Sequence, residues 1–228
     1  MHMNSKLTSL LPSFTALLAA TGLILAAPQN LQADPTGGDW KPLFNGTDLS
    51  GWRADDPTRF KVVDGMIIGS QDDGKGGNLF TLEKFDNFEL RFTYKVKRPA
   101  NSGIWFRDSY QFDILEYQKP KTYSGAFYYP KCPGVFAWVN LDENLESQDD
   151  WNEGQIYANG NTIAFWINGK KLGEKTLVEG TDRIFPEGRI GIQVHGGNFQ
   201  GMEIAIKSIT VRKLQADDKP TAPTTLAR

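Results

Sequence analysis

The sequence predicts an all-β protein, folded as a two-sheet antiparallel jelly-roll sandwich. Short runs of alternating apolar and polar residues recur along it, and residues 88–96 alternate almost without fault. The dipeptides Asp64-Gly65 and Asn168-Gly169 supply the positive φ angles that tight hairpin turns need. No stretch after residue 40 repeats its apolar residues with the 3.6-residue period of a helix. Many short strands with Gly-rich turns and no helical spacers are typical of an antiparallel sandwich or barrel.

The predicted strands follow one another in short steps. They are residues 60–63, 66–68, 88–96, 162–167, 189–194 and 204–211. The pattern weakens between residues 118 and 150, where three prolines and an acidic run occur. We expect a long irregular connection there. Such connections are uncommon in compact domains and often carry function. The alternative is a solvated surface loop, which its many aromatic residues argue against.

The first 33 residues are predicted to be a secretory signal peptide. Lys6 provides a basic start, residues 10–27 form an apolar run, and Ala33 is a small residue at the exit. A membrane anchor is the alternative, but the cleanest apolar stretch, residues 16–27, is short for a span of roughly 20 residues. We therefore expect an exported protein, periplasmic or extracellular, without membrane insertion.

One domain is expected for residues 39–214, because single all-β domains commonly reach about 200–250 residues. Residues 215–228 are polar and contain two prolines, which predicts a flexible C-terminal tail. The formal net charge of −2 gives no reason to expect nucleic acid or anionic lipid as a partner. Cys132 is the only cysteine, which excludes an internal disulfide.

The histidine count limits the chemistry. His2 leaves with the signal peptide, so His195 is the only imidazole of the expected mature chain. A multi-histidine zinc site is therefore excluded. A Ser/His/Asp nucleophile finds no G-x-S-x-G sequence to support it. No cofactor is predicted. A divalent cation would have to use Asp113, Glu116 and His195, and that option stays open.

Residues 111–116, QFDILE, contain the most informative polar pattern. Gln111 and Asp113 share one face of a regular strand, and Glu116 lies on the other. A bulge at Ile114–Leu115 would return Glu116 to the first face, and we expect one there. The layout is similar to the E-x-D-x-x-E strand of laminarinase-type β-glucanases. Gln111 stands at the first glutamate position, however, and an amide cannot serve as the nucleophile of a retaining glycosidase.

A wider set of motifs resembles the bacterial 3-keto-disaccharide hydrolase family, which belongs to the concanavalin-A-like lectin and glucanase superfamily. In order, they are KPLFNGTDLSGW (41–52), FEL (88–90), ANSGIWFR (100–107), SGA (124–126), WN (151–152), WING (166–169) and IGIQ with HG (190–196). The resemblance covers roughly residues 39–214. Three positions depart from the family pattern. Gln111 and Asp113 exchange the usual acid and amide, Val194 replaces an Asp, and Asp108 replaces a Gly.

The resemblance implies hydrolysis of 3-keto-glycosides, since a ketone at C3 of a sugar acidifies the proton on C2. A base removes that proton, the enolate expels the glycosidic oxygen from C1, and water then adds. The resemblance and the residue chemistry together suggest His195 as the base and Glu116 or Asp113 as the acid or second base. Arg107 would hold the enolate oxygen or a sugar hydroxyl. We expect these residues on one concave sheet.

Four further residues are expected to bind the sugar: Gln111, Gln193, Trp105 and Trp138. Purely structural roles stay open for several candidates. Arg107 would form a structural ion pair, His195 would only hydrogen-bond to the backbone at the end of a strand, and the tryptophans would pack in the core. A non-catalytic carbohydrate-binding module is the alternative function, because this architecture also serves lectins. A sugar 3-oxidoreductase that supplies the ketone is an expected pathway partner.

Overall fold

The computed structural model describes residues 39–118, 121–129 and 136–223. The predicted signal peptide, Cys132 and residues 224–228 lie outside the described residues. No helix in the described part of the chain is long and apolar enough to cross a membrane.

The described residues form sixteen strands and one 3₁₀ turn, Pro57–Arg59. The strands are β1 (Lys41–Pro42), β2 (Trp52–Ala54), β3 (Phe60–Val63), β4 (Met66–Gln71), β5 (Gly77–Phe85), β6 (Phe88–Lys97), β7 (Asn101–Phe106), β8 (Tyr110–Leu115), β9 (Tyr117–Gln118), β10 (Lys121–Tyr128), β11 (Phe136–Asn140), β12 (Asn152–Asn159), β13 (Thr162–Ile167), β14 (Lys170–Thr176), β15 (Gly188–Val194) and β16 (Met202–Lys213).

Two antiparallel sheets form a sandwich, which confirms the predicted fold class. The back sheet has the strand order β14-β13-β12-β6-β16-β4-β3, with β1 paired to β16. The cleft sheet has the order β11-β10-β8-β7-β15-β5-β2, with β9 paired to β10. The apolar residues of both sheets alternate toward one shared core, which is rich in phenylalanine. Phe106, Phe112, Phe127 and Phe165 make edge, tilted and stacked ring contacts there.

Both predicted hairpins are confirmed. Asp64 and Gly65 have φ angles of 50° and 74° between β3 and β4, and Asn168 and Gly169 have 47° and 84° between β13 and β14. Successive positive φ angles match the right-handed twist of the flanking strands, so these two-residue turns close without splaying the hairpin.

The expected irregular connection between residues 118 and 150 is wrong where the structure describes two strands. β10 and β11 lie in this segment, and β10 pairs with β8 as well as with β11. The sequence of β10 does not alternate between apolar and polar residues, because most of its residues are buried: Thr122, Ser124, Gly125, Ala126 and Phe127. A strand buried on both faces shows a continuous pattern instead of an alternating one.

The predicted flexible tail begins at residue 215, and the structure describes it as far as residue 223. Residues 215–223 lie against the outer face of the back sheet, where Tyr157 Oη donates to the Asp218 carbonyl at 2.7 Å. The backbone N and Oγ1 of Thr221 both donate to the buried carboxylate of Glu89. Polar residues suggest a solvated tail, but here their partners are polar groups that β6 and β12 present on an outer face.

Candidate functional site

A cleft of about 260 Å³ lies on the outer face of the cleft sheet. Strand alternation builds it, since Ile104, Phe112 and Ile192 point into the core while their neighbours in sequence point outward. The lining residues are Asn101, Trp105, Gln111, Asp113, Leu115, Tyr128, Phe136, Gln193 and His195. The structure therefore brings together five of the eight sequence-predicted site residues: Trp105, Gln111, Asp113, Gln193 and His195.

The centre of the cleft floor is the cross-strand row Asp113–Gly103–Gln193. Gly103 has no side chain, and Gln111 from the next row fills the space above it. A Cβ on Gly103 would lie 2.6 Å from both Cδ and Nε2 of Gln111. Gln111 Nε2 donates to Gln193 Oε1 at 2.9 Å. The two amides thus order each other and form a polar floor.

Trp105 is held in the cleft wall by a chain of hydrogen bonds. Its Nε1 donates to Asn78 Oδ1 at 2.9 Å, and Asn78 Nδ2 donates to Asp55 Oδ2 at 2.9 Å. The ring also meets Tyr128 edge-on, with centroids 6.1 Å apart. An aromatic side chain fixed in this way offers a rigid apolar surface to a ligand.

Asp113 is the acidic group of the cleft. Its side chain is only 4% exposed, and burial raises the pKa of this carboxyl well above its usual range. Desolvation is the single cause, because neither Gly103 nor Gln193 in its row carries a charge. A buried carboxyl whose pKa is raised keeps its proton to a higher pH than an exposed one and can donate that proton to a ligand oxygen.

His195 lies exposed at the rim of the cleft, directly after β15. Its Nδ1 lies 2.7 Å from the Gly196 carbonyl oxygen. A carbonyl oxygen only accepts, so the Nδ1 atom carries the hydrogen and the neutral ring keeps its lone pair on Nε2. Phe199 packs edge-on against the imidazole, with the centroids 5.7 Å apart. Nε2 has no hydrogen-bond partner among the residues that the structure describes, so this nitrogen is an available base.

Glu116 does not join this face, and the expected bulge at Ile114–Leu115 is wrong. β7 and β8 pair in regular register through Leu115 opposite Asn101. Leu115 consequently takes the cleft position that follows Asp113. Glu116 is exposed just beyond the strand, and its Oε1 accepts from Gln118 Nε2 at 3.1 Å. Regular pairing on both sides of Ile114 leaves no room for an extra residue.

Arg107 does not line the cleft either. Its side chain is buried and points to the end of the sandwich, where it donates to the backbone carbonyls of Asp86 and Gly160 at 2.6–3.0 Å. It also reaches the Phe185 carbonyl at 3.3 Å. These bonds occupy the guanidinium, so the placement fits a structural role and not the expected contact with substrate. No ion pair with Asp113 or Glu116 occurs among the described residues.

Trp138 is also absent from the cleft lining. It packs inward against Phe127 and Phe165, with centroid distances of 4.8 Å to each. Its Nε1 donates to the Gly125 carbonyl at 3.1 Å. The ring lies close above Gly173, where a Cβ would approach it to 2.7 Å. Trp138 therefore belongs to the packing between the sheets.

Four residues that line the cleft are not among the site residues predicted from the sequence: Asn101, Leu115, Tyr128 and Phe136. The strand pattern could have indicated them. If Asp113 faces the cleft, then the residues two positions away on β8 and the residues beside it on the neighbouring strands face the cleft too. Within the described part of the chain, no three His, Cys, Asp or Glu side chains cluster closely enough to hold a metal ion.

The comparison with protein families matches residues 39–212 to the 3-keto-alpha-glucoside-1,2-lyase-like domain. A 3-keto-disaccharide hydrolase of Bacteroides thetaiotaomicron is 26% identical over 200 aligned residues, covering 71% of this chain and 67% of the relative.

Solved structures share the fold. A Parabacteroides distasonis protein provisionally described as a glycosyl hydrolase superposes with a TM-score of 0.57, at 19% identity, over 78% of this chain and 94% of its own. The Emp46p carbohydrate recognition domain superposes with a TM-score of 0.54, at 13% identity, over 72% of this chain and 88% of its own. The fold is thus similar to that of a protein described as a glycosyl hydrolase and to that of a carbohydrate recognition domain.

Proposed function

Because the chain belongs to the 3-keto-alpha-glucoside-1,2-lyase-like family, we propose that it cleaves 3-keto-glycosides in this cleft by elimination followed by hydration. The chain is a hydrolase by its family and its curated relative. The observation that carries the detailed proposal is the pairing of chemistries in one cleft. A buried carboxyl with a raised pKa lies in the floor, and a free imidazole nitrogen lies at the rim.

The proposed reaction begins at C2 of the keto sugar. His195 Nε2 takes the C2 proton, and the electron pair of the C–H bond forms an enolate with the C3 oxygen. As the ketone re-forms, a C1–C2 double bond forms and the C1–oxygen bond breaks. Asp113 gives its proton to the departing oxygen, which leaves as an alcohol.

Hydration reverses the proton movements. Asp113, now a carboxylate, takes a proton from water as the water oxygen adds to C1. The imidazolium of His195 returns its proton to C2. The product is a free 3-keto sugar, and both residues regain their starting protonation states. One acid and one base therefore serve both halves of the reaction.

The remaining cleft residues suit a sugar ligand. Gln111 and Gln193 offer amide groups to hydroxyls, and Trp105 offers an apolar face for the ring. In this scheme Glu116, outside the cleft lining, has no direct role.

The decisive experiment measures release of the leaving group from a 3-keto-aryl glucoside beside the unoxidised glucoside. The wild-type protein should cleave only the keto sugar. His195→Ala and Asp113→Asn should each lose about 10²–10⁴-fold in kcat, the usual contribution of a general acid or base. Glu116→Gln is the matched carboxylate control and should retain activity. If Glu116→Gln alone lost activity, Glu116 and not Asp113 would be the acid, and this assignment of roles would be wrong.

A non-catalytic carbohydrate-binding module is the second candidate. The aromatic residues Trp105, Tyr128 and Phe136 line the cleft beside the two amides, which is a lining that a lectin would also use. Binding of both sugars without cleavage of either would favour this candidate.

We also propose that the protein acts after export and that a sugar 3-oxidoreductase supplies its substrate. The basic, apolar and small-residue pattern of residues 1–33 supports export. The need for a ketone at C3 supports the second proposal. Mass spectrometry of the protein recovered outside the cytoplasm tests cleavage after Ala33.

A further inference from the structure

We propose that the side-chain amide of Asn101 donates a hydrogen bond to the C3 ketone oxygen and stabilises the enolate. This inference rests on the proposed function. Asn101 would then stabilise the enolate oxygen, which is the role that the sequence suggests for Arg107. The Arg107 guanidinium is held by backbone carbonyls away from the cleft.

Asn101 lies beside the proposed base. It is the first residue of β7, and its side chain lines the cleft. The backbone N of His195 donates to the Asn101 carbonyl at 3.2 Å, so the two residues are direct cross-strand neighbours. Side chains in such a relation have Cβ atoms about 4.5–5.5 Å apart. C2 and C3 of a sugar are bonded to each other, so the base and the ketone donor must be neighbours too.

The Asn101 amide is available, whereas two neighbouring donors of the cleft are engaged. Trp105 Nε1 donates to Asn78, and Gln111 Nε2 donates to Gln193. The Asn101 side chain makes no hydrogen bond with any residue in the described part of the chain, and it is only partly exposed. Its Nδ2 brings two hydrogens to the site.

The surroundings of Asn101 strengthen such a bond. Leu115 lies opposite it in register on β8 and is 3% exposed. An apolar neighbour keeps water from one side of the amide, and hydrogen bonds to a developing oxyanion are stronger where water is excluded. Asp113, the proposed acid, lies two residues from Leu115 on β8, on the same face of the strand.

The test separates enolate formation from binding. In D₂O, exchange of the C2 hydrogen of a 3-keto-aryl glucoside reports enolate formation, and the Kd for the unoxidised glucoside reports binding of the sugar without the ketone. Asn101→Ala should lower both C2 exchange and kcat by about 10²–10³-fold, the usual loss for one oxyanion donor. The Kd for the unoxidised glucoside should stay unchanged.

Two further variants serve as controls. Asn101→Asp keeps the shape of the side chain but presents a carboxylate to the enolate, so it should be at least as slow as Asn101→Ala. Asn198→Ala removes an exposed amide near His195 that does not line the cleft, and it should match the wild type.

Each outcome has one meaning. Full C2 exchange in both Asn101 variants would overturn this inference and leave the proposed function intact. Loss of exchange together with loss of binding of the unoxidised glucoside would also overturn it, because Asn101 would then hold the sugar and not the enolate. A wild-type protein that neither exchanges the C2 hydrogen nor cleaves the keto sugar would overturn the proposed function and this inference with it.

Discussion

Gln111 and Gln193 lie on strands that are not neighbours, yet Nε2 of the first donates to Oε1 of the second at 2.9 Å. The contact crosses β7 at Gly103, the position where that strand has no side chain. A glycine in the middle of a strand therefore makes the cleft floor, because it lets two amides on the flanking strands meet above the backbone.

Gly103→Ala should disrupt this floor. The new methyl would lie 2.6 Å from Gln111 Cδ, so the buried amide must move and the Gln111–Gln193 bond is lost. We expect overpacking to cost about 1–3 kcal/mol in the free energy of unfolding, and KM to rise. The double variant Gly103→Ala/Gln111→Ala relieves the clash and should recover stability without recovering KM. Urea denaturation and steady-state kinetics measure both, and additive stability losses would contradict the clash.

Asp113→Asn should stabilise the protein at neutral pH. Burial raises the folded-state pKa of Asp113 above its unfolded value of about 3.9. The folded state therefore holds the proton more tightly, and wild-type stability falls as the pH rises from about 4 toward the folded pKa. The asparagine variant escapes this fall, so its urea midpoint should exceed that of the wild type at pH 7 and match it near pH 4.

Asp142→Asn is the control with the opposite sign. Hydrogen bonds from Lys170 and from the Asn144 backbone lower the pKa of Asp142, so its contribution is present at neutral pH and is lost in acid. This variant should not gain stability at pH 7.

The pH dependence of the reaction gives a separate test. The wild type should lose activity on the alkaline side as Asp113 gives up its proton. An unchanged alkaline limb of the pH–rate profile in Asp113→Asn would argue against Asp113 as the acid.

Trp105 and Trp138 should give opposite phenotypes. Trp105→Ala removes a cleft wall and should raise KM roughly tenfold, the equivalent of about 1.4 kcal/mol, with little change in stability. Trp138→Ala opens a cavity beside Phe127 and Phe165 and should cost about 3 kcal/mol in the free energy of unfolding. Kinetics at a temperature where both variants are folded separate the two, and a KM effect in Trp138→Ala alone would reverse the assignment.

Arg107→Met should behave as a structural variant. It leaves the buried carbonyls of Asp86 and Gly160 without their charged donor, which should cost about 3 kcal/mol in the free energy of unfolding. Arg189→Met removes a partly exposed arginine paired with Asp108 and should cost less than about 1 kcal/mol. Thermal unfolding compares the two variants. A kcat loss in folded Arg107→Met would restore a role in the reaction.

Truncation after residue 214 should destabilise the sandwich. It removes the donors that Thr221 offers to the buried carboxylate of Glu89, and hydrogen bonds to charged groups contribute about 1.5–3 kcal/mol each. Truncation after residue 223 keeps these contacts and is the control. Equal unfolding midpoints for the two truncated chains would show that residues 215–223 contribute nothing to stability.

The sequence was sufficient for the fold class because its information on that point is local. Alternation of apolar and polar residues identifies β6 and β16, and the two Asx-Gly turns identify their hairpins, since both patterns depend only on neighbours in the chain. The same locality placed Gln111 and Asp113 on one face. The family motifs added His195 and Gln193 to the expected site.

Only the tertiary structure decided which side chains meet. Glu116 falls outside the cleft because β7 and β8 stay in regular register, and register is a property of two strands and not of one. Arg107 is taken up by carbonyls of residues 86 and 160, which are distant in sequence. Asn101 adjoins His195 through the pairing of β7 with β15. The sequence by itself determined the sandwich and the family, and long-range strand pairing, which no local pattern encodes, decided which side chains line the cleft.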